Sequence, residues 1–354
     1  MEWINFNDVE DNNFEPLVKM IIESKKSIHI DGRAGVGKSS LIKNLQTELT
    51  KMNIKFTSLA PTNKACRIIN GKTIHKFIGC HSRTSLLSMN CDVIFIDEIS
   101  MVPEKFYKFF IILKTLRPDI IFIISGDFEQ LLPVNDRVGE CDYKASPALH
   151  ELCDGRRLCL TKCRRANSDL FDLCDPQNIS KIQKTQFGSA FASRHICFTN
   201  KKRMEINEKM MNSFIKNTQD VQRSKKQKLS EVIQIAKSSC DANSQDLKLI
   251  KGMPIIAKKT CDTDDYSFAN NETFKIENVS SETITIINDE AETQEIPTLE
   301  FVNLFYIAFC ITTHKSQGES YDFPYTIHQW SQFSDRMKYV ALTRSTDIKF
   351  INIL

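Results

Sequence analysis

Ser27-Ile28-His29-Ile30-Asp31-Gly32-Arg33-Ala34-Gly35-Val36-Gly37-Lys38-Ser39-Ser40 decides the reading of this chain. The pattern G-x-x-x-x-G-K-[ST] is met by Gly32, Gly37, Lys38 and Ser39, and its flanks suit it. Ile28 and Ile30 precede it as a short apolar strand; Leu41, Ile42, Leu45 and Leu49 follow at helical spacing. Strand, loop and helix thus come in the order a phosphate-binding loop needs. Glycines let backbone N–H groups curl round a phosphate, and the helix N-terminus adds the positive end of its dipole. Gly32, Arg33, Ala34, Gly35, Val36, Gly37, Lys38, Ser39 and Ser40 are the expected triphosphate lining, with Lys38 on the β- and γ-phosphates and Ser39 on magnesium.

The chain has 354 residues, longer than one core usually fills, so two domains are expected. Its 47 basic and 44 acidic residues nearly cancel, leaving +3, so an anionic polymer would have to meet a local lining rather than a global field. Of twelve cysteines, Cys141, Cys153, Cys159, Cys163 and Cys174 share one segment without a C-x-x-C pair. They read as reduced core thiols in preference to zinc ligands. The start lacks a basic and apolar leader, and no apolar run is long enough to span a membrane. The expectation is an intracellular, soluble protein that works as a monomer without a membrane partner.

Outward from the loop, Glu15 to Ser24 reads as a helix, Ile54 to Leu59 as a strand stopped by Pro61, and Asp92 to Glu98 as a strand buried on both faces. Ile120 to Asp127 repeats that pattern after a helix carrying Phe106, Phe109, Phe110 and Leu113. Alternating strands and helices argue for a doubly wound parallel sheet with its ligands at the carboxyl ends. Strand signals stop near residues 145–154, which sets the expected boundary: a first domain over 1–150 with a short insertion near 79–91, and a second over 151–354. In the second, His195 to Thr199 is a strand, Lys201 to Lys216 a helix, and 219–228 a surface loop. Short alternating runs over about 251–301 suggest an inserted β module.

Asp97-Glu98 closes its strand with two carboxylates, one to hold magnesium and one to orient and deprotonate water. Gln130, beyond the next strand, offers a neutral donor and acceptor to a γ-phosphate. Arg165 and Arg344 come from the expected second domain, so they would reach that phosphate only across a cleft.

These residues resemble those of superfamily one DNA helicases of the RecD and PIF type. The P-loop is similar to motif I, Ala60-Pro61-Thr62-Asn63-Lys64-Ala65 to motif Ia, Thr73-Ile74-His75-Lys76-Phe77 to motif Ib and Ile96-Asp97-Glu98 to motif II. Gly126-Asp127-Phe128-Glu129-Gln130-Leu131 resembles motif III, and Leu160-Thr161-Lys162-Cys163-Arg164-Arg165 resembles motif IV, with Arg165 matching its arginine. Thr312-Thr313-His314-Lys315-Ser316-Gln317-Gly318 and Tyr339-Val340-Ala341-Leu342-Thr343-Arg344 resemble motifs V and VI. The resemblance implies two RecA-like domains with an SH3-like insertion in the second, with ATP and Mg2+ between the domains. It also implies 5′ to 3′ movement on single-stranded DNA and at junctions with duplex. By the same resemblance Lys38, Glu98, Gln130, Arg165 and Arg344 would be catalytic, Asp97 and Ser39 would hold the metal, and Gly318 would touch nucleotide. Pro61, Thr62, Asn63, His75, Lys76, Thr312, His314, Lys315 and Gln317 would face the strand, gripping phosphates and sugars without reading bases.

Three departures stand out. No glutamine occurs over 2–26 to read adenine, leaving Asn12 or Asn13 as substitutes; Leu132 replaces a second motif III proline; and Gly79 to Cys91 is short for the strand-splitting β-hairpin of relatives. An ATP-driven switch without processive unwinding, or an RNA-directed relative, therefore stand beside the helicase reading.

Overall fold

The computed structural model describes residues 2–9, 13–80, 83–133 and 142–354. They form two compact units, Met1–Ile179 and Ser180–Leu354.

The first unit is built on β1 (Ile4–Asn7), α1 (Glu15–Ser24), β2 (Ile28–Gly32), α2 (Lys38–Lys51), β3 (Phe56–Ala60), α3 (Asn63–Ile68), β4 (Lys72–Thr73), α4 (Ile74–Cys80), α5 (Arg83–Leu87), β5 (Val93–Ile96), α6 (Glu104–Leu116), β6 (Ile121–Gly126), α7 (Pro147–Leu152), β7 (Arg156–Leu160) and α8 (Ser168–Leu173). Its seven strands lie in the order β1-β7-β2-β6-β5-β3-β4, each neighbouring pair parallel. A parallel sheet needs cover on both faces, which is why β5 is Val-Ile-Phe-Ile with all four residues buried. Leu41, Ile42 and Leu45 of α2 pack in one core with Ile28, Ile30 and Phe95, and Tyr107, Phe110 and Leu113 of α6 in a second with Ile94, Ile96 and Phe122. Register fixes the strand tips: Asp31 lies opposite Gly126, Gly32 opposite Leu160, and Leu59 opposite Ile96. The carboxyl ends thus bring the P-loop, Asp97, Asp127 and Thr161 to one edge.

The expected boundary at residue 150 is displaced. Arg156–Leu160 is a strand of the first sheet, between β1 and β2, and the first unit runs to Ile179. Its alternating burial, buried at Arg156, Leu158 and Leu160, was disguised by arginines at its first two positions.

Asp8 ties the amino-terminal strand to this edge. Its carboxylate accepts from the backbone N–H groups of Thr161 and Lys162 at 3.0 Å each and from the Arg164 guanidinium at 2.9 and 3.1 Å. Burial would raise its pKa, but the hydrogen bonds from Arg164, Lys162, Thr161 and Val9 outweigh it and hold the carboxyl below its usual range. Because the folded value is depressed, the stability it supplies is present at neutral pH and lost as pH falls through that value. Asp8→Asn is expected to destabilise the protein by about 3–5 kcal/mol, the cost of breaking a buried ion pair, and to flatten the acid limb of a denaturation series.

The second unit opens with β8 (Arg194–Cys197), α9 (Asn200–Ser224), β9 (Ile233–Ile235), β10 (Leu247–Leu249), β11 (Pro254–Ala257), β12 (Cys261–Asp262), β13 (Ser267–Phe268), β14 (Thr273–Val279), β15 (Thr283–Ile287) and β16 (Thr293–Pro297). It continues through α10 (Thr298–Leu304), β17 (Phe305–Ile307), β18 (Cys310–Thr312), α11 (Thr313–Ser316), β19 (Tyr325–Ile327), α12 (Asp335–Leu342) and β20 (Ile351–Ile353). A parallel sheet β18-β8-β19-β20 is accompanied by an antiparallel sheet β16-β15-β14-β11-β17, whose strands fall within residues 254–307. α9 continues to Ser224, through part of the segment read as a surface loop; over residues 217–224 Val221 is the lone apolar residue, so no stripe announces the helix there. No helix among the described residues is long and apolar enough to cross a membrane.

Candidate active site

The loop between β2 and α2 is shaped by two glycines. A Cβ at Gly32 would lie 2.5 Å from the Leu160 carbonyl oxygen, and Gly37 has φ 91°, where a Cβ would meet the Phe14 ring at 2.8 Å. Neither position admits a side chain without moving backbone or core. Gly37 caps α2 without a side-chain hydrogen bond, so the first turn presents N–H groups and no competing carboxylate. The Lys38 ammonium is buried and donates to the Gly32 and Arg33 carbonyls at 2.6 and 3.0 Å, inside the curl of the loop. Arg33 turns elsewhere: its guanidinium stacks 3.9 Å from the Phe171 ring, bonds the Phe171 carbonyl and lies 3.6 Å from Asp175. Ala34 and Val36 are buried, and Ser40 is exposed.

Ser39 donates to one Asp97 oxygen at 2.8 Å, while Ser125 and the Glu98 backbone N–H hold the other. Asp97 is 3 % exposed, so three donors fix a carboxylate that has little water to compete for it. Hard oxygens from Ser39 and Asp97 at the helix start suit a small divalent cation. Glu98 takes φ 54° and ψ 43°, a left-handed conformation uncommon for a side-chain-bearing residue, which turns the chain sharply off β5. Gln130 is buried and its amide donates to Asp127 at 3.0 Å, which sets it beyond β6. Ser125 was the partner that the sequence did not single out; its place one strand from Asp97 was the available signal.

The arginines separate. Arg165 lies in the first unit, with its Cβ 3.4 Å and Nε 3.5 Å from the position a Gly35 Cβ would take. It comes from the same unit as the P-loop, contrary to the expectation of a residue reaching across a cleft, because β7 belongs to the first sheet and carries the motif with it. Its neighbour Arg164 also serves the loop, donating to the Val36 carbonyl at 2.8 Å and lying 4.6 Å from the Phe14 ring. Arg344 lies in the second unit, 2 % exposed, donating to the carbonyls of Val340 at 2.8 Å and Glu319 at 3.1 Å and to the Thr343 hydroxyl at 3.1 Å. Gly318 has φ 82°. Asn13 accepts from the Glu15 N–H at 2.9 Å at the start of α1, and Asn12 lies outside the described residues.

Within the first unit, the expected strand-facing residues gather on neighbouring strand ends, since Ala60 pairs with Thr73. Thr62 caps α3, accepting from Ala65 N–H at 3.2 Å, with Pro61 and Asn63 half-buried beside it. His75 and Lys76 are exposed at the start of α4, with the His75 ring edge-on to Phe106 at 4.8 Å. Phe77 is core.

In the second unit, Thr312 ends β18 and Thr313 is buried, its hydroxyl donating to the Cys197 carbonyl at 3.3 Å. His314 is exposed and Gln317 half-buried. Lys315 is not free on a surface: it donates to Asn271 at 2.8 Å and lies 5.3 Å from the Tyr306 ring, which Arg203 and Lys258 both approach to 4.2 Å. Asp241 accepts from Lys258 and from the Tyr306 hydroxyl, each at 2.8 Å. Burial, then repulsion from Arg203 and Lys258, lowers Lys315 to about 8. The unfolded chain therefore holds its proton more tightly than the fold between about 8 and the ordinary lysine range. Over that window, raising the pH should stabilise the protein in chemical denaturation, and Lys315→Met should show a smaller rise.

Among the described residues the cysteines are free, and no three His, Cys, Asp or Glu side chains gather as metal ligands. Burial pushes the Cys174 thiol up to about 12 and Cys153 higher, which makes both inert; Cys141 lies outside the described residues.

Residues 17–136 match the model of a family described as an AAA domain. The ATP-dependent DNA helicase dda of Enterobacteria phage T4 is 28% identical over 49% of this chain and 42% of its own length. The ATP-dependent DNA helicase PIF1 of Xenopus laevis is 23% identical over 96% of this chain and 60% of its own. Both are named ATP-dependent DNA helicases, and it is to proteins of this PIF1 and dda kind that the chain is similar. A crystal structure of Pif1 from Bacteroides in complex with ADP-AlF3 and single-stranded DNA superposes with a TM-score of 0.64 at 18% identity, covering 98% of this chain and 92% of that one. Pif1 from Candida albicans gives 0.67 at 17%, covering 98% and 94%. At such identity these matches establish the fold: RecA-like parallel sheets flanked by helices, as in PIF1-type structures, with additional antiparallel sheets. The chain spans less than half the length of dda and three fifths of the frog PIF1.

Proposed function

We propose that this protein is an ATP- and magnesium-dependent DNA helicase that translocates on single-stranded DNA in the 5′ to 3′ direction and opens duplex at junctions. The observation that carries this is the joined tip of β2, β5 and β6, where Ser39, Asp97 and Ser125 interlock and Lys38 bonds the loop carbonyls beside an uncapped helix start. Ser39 and Asp97 would hold Mg2+, which neutralises phosphate charge when bound. Glu98 would deprotonate the attacking water, Gln130 would contact the γ-phosphate, and Arg165 would steady charge developing there. In the second unit, Arg344 would be catalytic and Gly318 would touch nucleotide. Pro61, Thr62, Asn63, His75, Lys76, Thr312, His314, Lys315 and Gln317 would hold the strand by its backbone, and likeness to relatives named as DNA helicases supports DNA as that strand. The protein is expected to act as a monomer inside the cell.

ATP turnover should rise severalfold with single-stranded DNA, and the apparent affinity for the strand should fall steeply with salt as phosphate contacts release counterions. Turnover indifferent to oligonucleotide would overturn the proposal. Equal stimulation by RNA of the same sequence would move the assignment to an RNA-directed enzyme. One observation favours the switch reading: between Gly79 and Cys91 the described residues hold the five-residue helix α5 and no strand pair. A tailed duplex decides between them, since rapid ATP-dependent displacement excludes a switch and its absence, with turnover intact, excludes an unwinding enzyme.

A further inference from the structure

At the amino end of the first sheet sits a guanidinium with no hydrogen-bond acceptor among the described residues. Arg156 opens β7 opposite Ile4 of β1 and is only 8 % exposed, with its Cζ 4.9 Å from the Phe6 ring. Its Nη1 is buried and has no hydrogen-bond partner among the described residues. A buried cation with no hydrogen-bonded counter-ion among the described residues is costly, and Asp154 offsets that cost only through space. Asp154, which lines the same hollow, is engaged: one oxygen accepts from Lys114 at 2.6 Å and the other from the Ser27 N–H at 2.9 Å. Burial accordingly depresses the Arg156 pKa below the ordinary arginine range.

The hollow has a volume of about 620 Å³ and is lined by Ile4, Phe6, Ser24, Lys26, Asp154 and Arg156. That volume suits a small ligand. Lys26 is exposed at the hollow and supplies a second cation, while Ile4, 60 % exposed, and Phe6 give an apolar side. It is separate from the P-loop: Gly32 pairs with Leu160, four residues along β7 from Arg156, or about 13 Å at strand spacing.

We propose that this hollow binds a phosphate monoester, with Arg156 and Lys26 taking the dianion and Phe6 and Ile4 flanking an apolar or aromatic group attached to it. Two cations match its charge, and the planar guanidinium fork matches phosphate oxygens better than an ammonium alone. The ester is carried either by a small molecule or by the 5′ end of a nucleic-acid strand.

Isothermal titration of the full chain with phenyl phosphate, in phosphate-free buffer of low ionic strength, tests the site. Saturable binding is expected, weakened at least tenfold by Arg156→Met and also weakened by Lys26→Glu, and unchanged by Lys38→Ala because the P-loop is not used. Arg156→Met should melt no lower than the parent, since it removes a buried charge; Lys26→Glu changes an exposed residue and gives a second readout independent of folding. An Arg156-dependent preference for a 5′-phosphorylated over a 5′-hydroxyl oligonucleotide would identify the strand end as the source, and equal binding of the two a small molecule. Failure of phenyl phosphate to bind at low millimolar concentration, or binding that neither substitution weakens, overturns the proposal.

Discussion

Alanine at position 38 is expected to lower ATP turnover by about 10² to 10³ or more, the usual effect of deleting one pre-positioned donor from a site of developing negative charge. Lys38 is 8 % exposed and already held at the mouth of the loop by the Gly32 and Arg33 carbonyls, so its ammonium needs little reorganisation to meet a phosphate. Its removal also leaves those carbonyls short of a donor. Circular dichroism and single-stranded DNA binding should be nearly unchanged, because α2 is anchored by Leu41, Ile42 and Leu45 rather than by Lys38. Glu98→Gln should give the complementary result, losing turnover while nucleotide binding persists. A Lys38→Ala protein that hydrolysed ATP at the parent rate would remove the basis for the assignment.

Arg165→Ala carries the other large expectation. An arginine that steadies the transferring phosphoryl group is worth about 10³ to 10⁵ in rate, and Arg165 stands against Gly35 within the unit that bears the P-loop. Its effect should therefore appear in turnover both with and without oligonucleotide, while the melting temperature stays close to the parent. Arg344→Ala should behave differently. That guanidinium is spent on Val340, Glu319 and Thr343, so its loss should lower the melting temperature as well as the rate. Steady-state kinetics at saturating ATP, paired with thermal melts, separate the two; an Arg165→Ala enzyme with unaltered kcat would deny the residue a catalytic part.

The elements with strict periodicity were legible from sequence. The β5 and β6 runs announce burial on both faces, and P-loop flanks fix strand and helix around Gly32 to Ser39. β1 and β7 were not legible, because edge strand β1 is mostly exposed and β7 begins with two arginines, one stacked on Phe6 and the other on Trp3. Missing β7 misplaced the boundary and with it the unit to which Arg165 belongs. Residue types named the loop, Ser39 with Asp97, and the turn carrying Gln130, since those depend on local spacing. Ser125, Asp8 and the Arg203–Lys258–Tyr306 cluster depend on pairings between distant segments, and no local pattern betrays them.

The bond from Lys315 to Asn271 ties motif V to the turn that enters β14, the middle strand of the antiparallel sheet. If Lys315 meets a backbone phosphate as proposed, that phosphate would draw the ammonium away and free the turn, and its departure would let the bond form again. Binding of a strand would then be reported to the antiparallel module by one competing acceptor, with no need for that sheet to deform.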